Sequence, residues 1–308
     1  MLIFPAYQTL LTRPAVASSD TANFITTDLK LHYDFSNTSC WNRNNSSNAA
    51  DYTVNNLIDS YNDAFFRVRT NNTFQYGSDS DVINYDTDGG GCLFMDPSEY
   101  SYNDAAVLAV PGSWSGESSS TDEYYNLPTE TSSHNLMDGL DDDGPFTFEI
   151  WYRAYTDSTS SGVVSSRLTD FLTENTSGSE VKLGLRLYGK HPVPIFTRKA
   201  WQSFGNSAKL QLIPGSLATG AGWSDWTHHV ITRDDSNNFN LYIQNAQAGS
   251  AITATHDFDS LKVIGIGAVL SSNTTPIRIG LVRFYKGKGL TSSEVTTNWN
   301  AQKSRFGH

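Results

Sequence analysis

The stretch Ile277–Phe306, IRIGLVRFYKGKGLTSSEVTTNWNAQKSRF, sets the architecture for the rest of the chain. Its first half alternates apolar residues (Ile277, Ile279, Leu281) and runs into Val282-Arg283-Phe284-Tyr285, the period of a β-strand with one buried face. Lys286-Gly287-Lys288-Gly289 then reads as a turn. A short helix follows, because Thr291 and Glu294 have the spacing of a capping box and Leu290 and Val295 that of a hydrophobic staple. Val295 and Trp299 share one face at i, i+4, and Lys303 and Arg305 lie where cations suit the helix dipole. A helix with a single apolar stripe has to dock.

Upstream, Phe146–Arg153 (FTFEIWYR) is a strand with Phe146, Phe148, Ile150 and Tyr152 on one face and Thr147, Glu149, Trp151 and Arg153 on the other. Leu29–Phe35, Val181–Leu187, Trp226–Arg233, Phe239–Ile243 and Lys262–Ile266 repeat the strand period, and Leu29–Phe35 is expected to bury one face. In Asp86–Met95 (DTDGGGCLFM) the three glycines lack a following Lys-Ser/Thr, so they mark a turn or bulge and not a phosphate-binding loop.

These stretches carry a family resemblance. The segment Ile277–Gly307 resembles the end of laminin-G-like domains, members of the concanavalin A-like lectin/glucanase group, and Trp226–Ser250 resembles their signature hairpin. Leu29–Ile58 is similar to their opening, with Asn56 where Asp is more usual. Gln244-Asn245-Ala246 replaces the usual Asn-Gly, from which a different turn geometry is expected. The resemblance covers about half of the 308 residues. It implies an all-β, concanavalin A-like jelly-roll β-sandwich with long loops and one short C-terminal helix. The NWNAQKSRFG form is similar to copies in structural proteins of tailed phages and related viruses.

The expected organisation is an arm over residues 1–26 and one domain over 27–308, with a long polar insertion at about 96–144. In the arm, Leu2, Ile3, Phe4, Tyr7, Leu10 and Leu11 need a cover, either as an extra edge strand of their own domain or as a clasp on a neighbouring subunit. Ala15-Val16-Ala17 mimics a signal-peptidase site, but a basic n-region and an unbroken apolar run are missing, so no signal peptide is expected. No stretch has the roughly twenty apolar residues of a membrane span. A net charge of −11, from 32 acidic and 21 basic residues, argues against nucleic acid as a partner. Cys40 and Cys92 follow no metal-ligand spacing and read as buried thiols, with a single bridge as the alternative.

Candidate chemistry is sparse. None of the eight glutamates has Asp two residues on, so the E-x-D-x-x-E strand that glucanases of this group resemble is missing. No enzymatic activity is expected. His228 and His229 are neighbours in a strand and point to opposite faces, which prevents joint metal ligation. Asp141, Asp142 and Asp143, with Asp79, Asp81, Asp86 and Asp88 elsewhere, offer oxygen ligands for calcium, and the resemblance implies such a rim site; a solvated acidic loop is the alternative, and no other cofactor is expected. Trp114, Tyr124, Tyr125, Trp201 and Trp223 stand in polar loops, suited either to stacking on sugars or to filling an interface between subunits. The resemblance of the tail, with the missing catalytic carboxylates and the apolar arm, implies a virion structural protein, a capsid decoration or a tail or fibre component assembled in the host cytoplasm. Its partners would be other virion proteins or copies of itself. The alternative is a module that attaches to a host-surface glycan.

Overall fold

The computed structural model describes residues 23–41, 53–59, 62–70, 73–76, 83–95, 105–111, 136, 144–156, 165–173, 180–188, 191–196, 222–253, 261–267 and 276–308. The chain runs through β1 (Leu29–Asp34), β2 (Thr53–Val54), β3 (Ala64–Thr70), β4 (Thr73–Tyr76), β5 (Ile83–Asp86) and β6 (Cys92–Met95). It continues through β7 (Ala105–Pro111), β8 (Phe146–Thr156), β9 (Ser165–Thr173), β10 (Glu180–Tyr188), β11 (His191–Phe196) and β12 (Gly222–Trp223). The last elements are β13 (Thr227–Arg233), β14 (Asn238–Ile243), β15 (Ala246–Gln247), β16 (Ile252–Thr253), β17 (Leu261–Gly267), β18 (Ile277–Lys286) and the helix α1 (Ser292–Gln302).

The strands form two antiparallel sheets. The first has the order β15-β14-β13-β8-β18-β6-β5, with β1 also on β18, β12 on β8 and β16 on β14. β8 fills one side of β18 along its length, so β6 beside Ile277–Ile279 and β1 beside Leu281–Tyr285 share the other side. The second sheet has the order β11-β10-β9-β17-β7-β3-β2, with β4 also on β3. Residues Ala105–Pro111, the short apolar patch within the expected 96–144 insertion, thus form a strand between β3 and β17.

The main core lies between the sheets. Phe146, Phe148, Ile150 and Tyr152 of β8, with Ile279, Val282 and Phe284 of β18, meet Val54, Ala64 and Ile266 from the second sheet. This is the face that the alternation of β8 predicts.

The outer face of the first sheet is also covered. Thr291 accepts from the Glu294 amide while Glu294 accepts from the Thr291 amide, the expected capping box, and Leu290 and Val295 are both buried. Thr147 fixes the approach to α1, donating its hydroxyl to Lys288 O at 2.9 Å and accepting from the Leu290 amide at 2.8 Å. Leu29, Val230, Tyr242 and Tyr285 pack under this end of the helix, joined by Phe24 and Ile25 from the chain entering β1. Trp151, Trp226, Leu281, Cys92 and Phe306 form a second cluster, with Trp299 against it.

This cover changes two sequence readings. β1 buries His32 and Asp34 as well as its apolar side, so both faces are enclosed. Its register shifts between Leu29 and Leu31, which sends Leu29 to the helix side while Leu31 and Tyr33 stay between the sheets. In β18 the register shifts between Ile279 and Leu281, so Leu281 leaves the Ile277/Ile279 face and packs on Trp151 instead. The residue at that bulge, Gly280, lies under Phe306: a Cβ there would sit 2.6 Å from Phe306 Cζ.

The β14–β15 turn also departs from expectation. Gln244 and Asn245 have φ of 49° and 69°, the left-handed pair that an Asn-Gly type I′ turn would supply. Their side chains offset the strain. Gln244 donates to Trp226 O at 2.8 Å and accepts from the His228 amide at 3.1 Å, and Asn245 accepts from the Thr296 hydroxyl at 2.7 Å. Cys40 and Cys92 are both free and buried, and burial pushes the Cys92 thiol up to about 12.

Candidate functional site

Two groups of ionisable side chains occupy the outer face of the first sheet. One is centred on Glu149, which alternation places outward from β8. Glu149 Oε1 accepts from His228 Nε2 at 3.0 Å and from Arg283 Nη1 at 3.2 Å, and Oε2 accepts from Asn298 Nδ2 at 2.7 Å. β13, β8 and β18 are adjacent strands; Arg283 lies opposite Glu149 across the ladder and His228, opposite Trp151, reaches it diagonally, while α1 lowers Asn298 onto it from above. Asn298 also takes the Ile25 amide on Oδ1 at 2.8 Å and reaches Tyr285 Oη at 2.9 Å.

The carboxylate, histidine and guanidinium resemble an acid–base constellation, but access decides against that use. The side chains of Glu149, His228 and Arg283 are 0% exposed. Burial alone would raise the Glu149 pKa; Arg283, His228 and Asn298 outweigh it and hold the carboxyl at about 2. A carboxylate stabilised this strongly is a poor proton donor or acceptor near neutral pH. The group locks α1 and the chain before β1 onto the sheet.

The other group is partly exposed. Phe94, Arg278 and Arg153 stand side by side on β6, β18 and β8, and Trp223 of β12 leans over them. The Arg278 guanidinium lies 3.8 Å from the Trp223 ring centroid and 5.1 Å from that of Phe94, a cation–π stack. Asp86 fixes the stack, accepting Arg278 Nε at 2.8 Å and Nη2 at 2.6 Å on one oxygen. Asp88 pairs with Arg153 and accepts Trp226 Nε1 at 3.2 Å. Here the side chains of Arg278, Arg153, Asp86 and Asp88 are 15, 22, 25 and 27% exposed. Burial raises the Asp86 pKa, but the Asp88 amide and Arg278 prevail and lower it from its ordinary value.

The turn from β5 to β6 explains how two aspartates reach this place. Gly89 and Gly90 have φ of 58° and 75°, and a Cβ on Gly89 would lie 2.8 Å from Trp226. The glycine run is therefore a tight turn packed against an indole, and it carries Asp86 and Asp88 to the arginines.

Of the sequence candidates, Trp223 belongs to this open stack. Trp114, Tyr124, Tyr125, Trp201, the arm residues Leu2, Ile3, Phe4, Tyr7, Leu10 and Leu11, and the acidic run Asp141, Asp142 and Asp143 lie outside the described residues. No group of three or more His, Cys, Asp or Glu side chains among the described residues is placed to hold a metal ion. His228 and His229 do point apart: His228 stacks on Trp151 at 4.7 Å, while His229 Nδ1 and Tyr152 Oη share a hydrogen bond of 3.1 Å inside the sandwich. Sequence reasoning missed Phe94, Arg153, Arg278, Asp86 and Asp88 as a set, because they come from four strands and a turn. The signal it could have used was the outward position of both Arg153 and Arg278, each on a strand with one apolar face.

No family model matches the sequence, and neither does any curated protein. Solved structures do match by shape. The binding domain of botulinum neurotoxin DC, in complex with SialylT, is similar at 13% identity and a TM-score of 0.50, over 90% of this chain and 52% of that one. The fold is an all-β jelly-roll sandwich. The botulinum neurotoxin type G receptor binding domain gives 13% identity and a TM-score of 0.50, over 89% of this chain and 51% of the other. Trypanosoma rangeli sialidase in complex with sialic acid gives 16% and 0.51, over 92% of this chain and 34% of that one. The chain thus spans about half the length of the neurotoxin chains and a third of the sialidase. No helix among the described residues is long and apolar enough to cross a membrane.

Proposed function

We propose that the chain is a non-enzymatic binding module that takes a glycan on the outer face of its first sheet. The observation that carries this reading is the partly exposed stack of Phe94, Arg278 and Trp223, flanked by Arg153, Asp86 and Asp88. A pyranose offers an apolar C–H face and a ring of hydroxyls. Aromatic faces suit the first, and fixed carboxylates and guanidinium groups suit the second. The ion pairs hold the donors and acceptors in place before a ligand arrives, which lowers the entropy cost of binding. Neighbouring folds solved with SialylT and with sialic acid are in keeping with this reading.

A glycan array tests it, run on the whole chain with and without a chelator. Binding to one sugar class is expected, with Trp223→Ala weakening it by about 30-fold if the indole is an anchor of about 2 kcal/mol. Loss of binding with chelator would bring in Asp141, Asp142 and Asp143 as a calcium site. No binding to any glycan at high protein concentration would remove the proposal.

A second reading, assembly on a virion with other virion proteins or further copies of this chain, is favoured by the resemblance of Ile277–Gly307. In that case residues 1–22 are the clasp. The cut belongs before Phe24, since Phe24 and Ile25 pack against the domain itself. A chain lacking 1–22 that remained folded and still joined particles normally would exclude the clasp.

A further inference from the structure

We propose that residues 24–28 form a latch that acid releases, with His32 as its trigger. His32 stands directly opposite Arg283 in the β1–β18 ladder, on the outer face, and its Nε2 is buried without a hydrogen-bond partner. The Phe24 ring covers both: it meets the imidazole edge-on at 5.2 Å, and the Arg283 guanidinium lies 4.0 Å from its centroid. A proton on His32 would put two cations side by side beneath an apolar ring.

The charged groups around it give no relief. Asp34, two residues along β1, is held by Arg305 Nη1 at 2.9 Å and by the Ser36 amide and hydroxyl. Glu149 on β8 is occupied by Arg283, His228 and Asn298. Arg305, from the chain after α1, adds a further positive charge. Burial, then Arg283, keep the imidazole neutral down to about pH 3, against the pull of Asp34 and Glu149.

Charging His32 requires water, and the cover that can move is the latch. Phe24 and Ile25 are half-buried, whereas β1 beyond them is held in the ladder. The latch is fastened by the Ile25 amide on Asn298, by Tyr285 Oη donating to Ile25 O at 2.9 Å and by the Lys286 amide on Asp28 O at 3.0 Å. Asp28, where it joins β1, has φ of 61°, a left-handed position for a non-glycine residue and a natural hinge.

The sign follows from linkage. The closed state disfavours the proton, so closure is fully stable above the ordinary histidine pKa of 6.5 and weakens as the pH falls from there towards 3. For one such group, the ratio of open to closed latch rises about 30-fold from pH 7.5 to 5.0. Amide hydrogen exchange on the whole chain, corrected for the intrinsic pH dependence of exchange, reads this at Ile25. The expected result is a loss of protection of about that size at Ile25, with the amides of β8 and β13 staying far better protected than Ile25 at both pH values. His32→Gln should abolish the pH dependence, and His229→Gln should leave it. Constant protection at Ile25, protection of Ile25 equal to that of β8 and β13 at both pH values, or a dependence that survives in His32→Gln would overturn the latch. Should His32→Gln not fold, the His32 resonance in the native chain decides: titration near 6.5 with Ile25 still protected refutes the proposal.

Discussion

Replacing Glu149 by Gln keeps the shape of the side chain and removes its charge. Arg283 would then be a fully buried guanidinium without a counter-ion, with Nε and Nη2 already lacking hydrogen-bond partners. Breaking a buried pair from one side costs about 3–5 kcal/mol. The depressed pKa gives a second figure: the carboxyl falls from 4.5 to about 2 on folding, and at about 1.36 kcal/mol per pKa unit this is about 3 kcal/mol. The two agree within their precision. Urea unfolding at pH 7 should therefore show Glu149→Gln less stable by about 3 kcal/mol or more, with a melting temperature lower by on the order of 10 °C. The wild-type protein should lose this contribution as pH falls from 4.5 towards 2, because its folded-state pKa is the lower one, and the variant should lack that limb. Replacing both ends, Glu149→Leu with Arg283→Met, should recover much of the loss, since no charge is then left buried. A Glu149→Gln protein within about 1 kcal/mol of wild type would refute the account of the hub.

Further outcomes follow from single contacts. Asn56 accepts from the His32 amide at 2.9 Å and donates to Lys30 O at 2.8 Å, so Asn56→Asp, although it restores the more usual residue of the resembling family, should cost about 1–3 kcal/mol in urea unfolding by losing the donor. Gly280→Ala forces a methyl into Phe306 and should destabilise by about 1–3 kcal/mol, partly rescued by Phe306→Leu. Thr291→Ala removes the cap of α1 and should cost about 1 kcal/mol, again by denaturant melt. His229 is neutral in the fold, its pKa lowered to about 3 by burial and then by His228. Its share of stability is complete above pH 6.5 and lost as pH falls towards 3, so His229→Gln should flatten the acid side of the stability profile by one proton.

Much of the frame was legible in local pattern. β8, β10, β13, β14, β17 and β18 coincide with stretches whose alternation names them, and the capping box and staple announced α1. The strands that went unread have physical reasons. β11 (HPVPIF) carries two prolines, which a strand tolerates at an edge, and it ends the described order of the second sheet. β3 (AFFRVRT) and β9 (SSRLTDFLT) mix charged and apolar residues in a way that no single-face rule identifies. β7, a short apolar run within a polar segment, read as part of an insertion because nothing local reveals that β3 and β17 flank it.

The sequence by itself determined where the chain extends, where it turns and that its last helix must dock, since periodicity and capping depend on residues three or four apart. Tertiary structure alone decided the fate of the outward-facing residues. Glu149, His228 and Arg283 occupy positions that alternation marks as polar and solvated, and they became a sealed ion cluster because Asn298, 149 positions from Glu149, lies over them. Arg153 and Arg278 occupy equivalent positions beyond the helix and remained open, held by Asp86 and Asp88 and stacked against Trp223. One face of one sheet thus carries both a lock and a candidate ligand surface. The difference between them is which part α1 covers, a question of packing between distant segments on which local pattern carries no information.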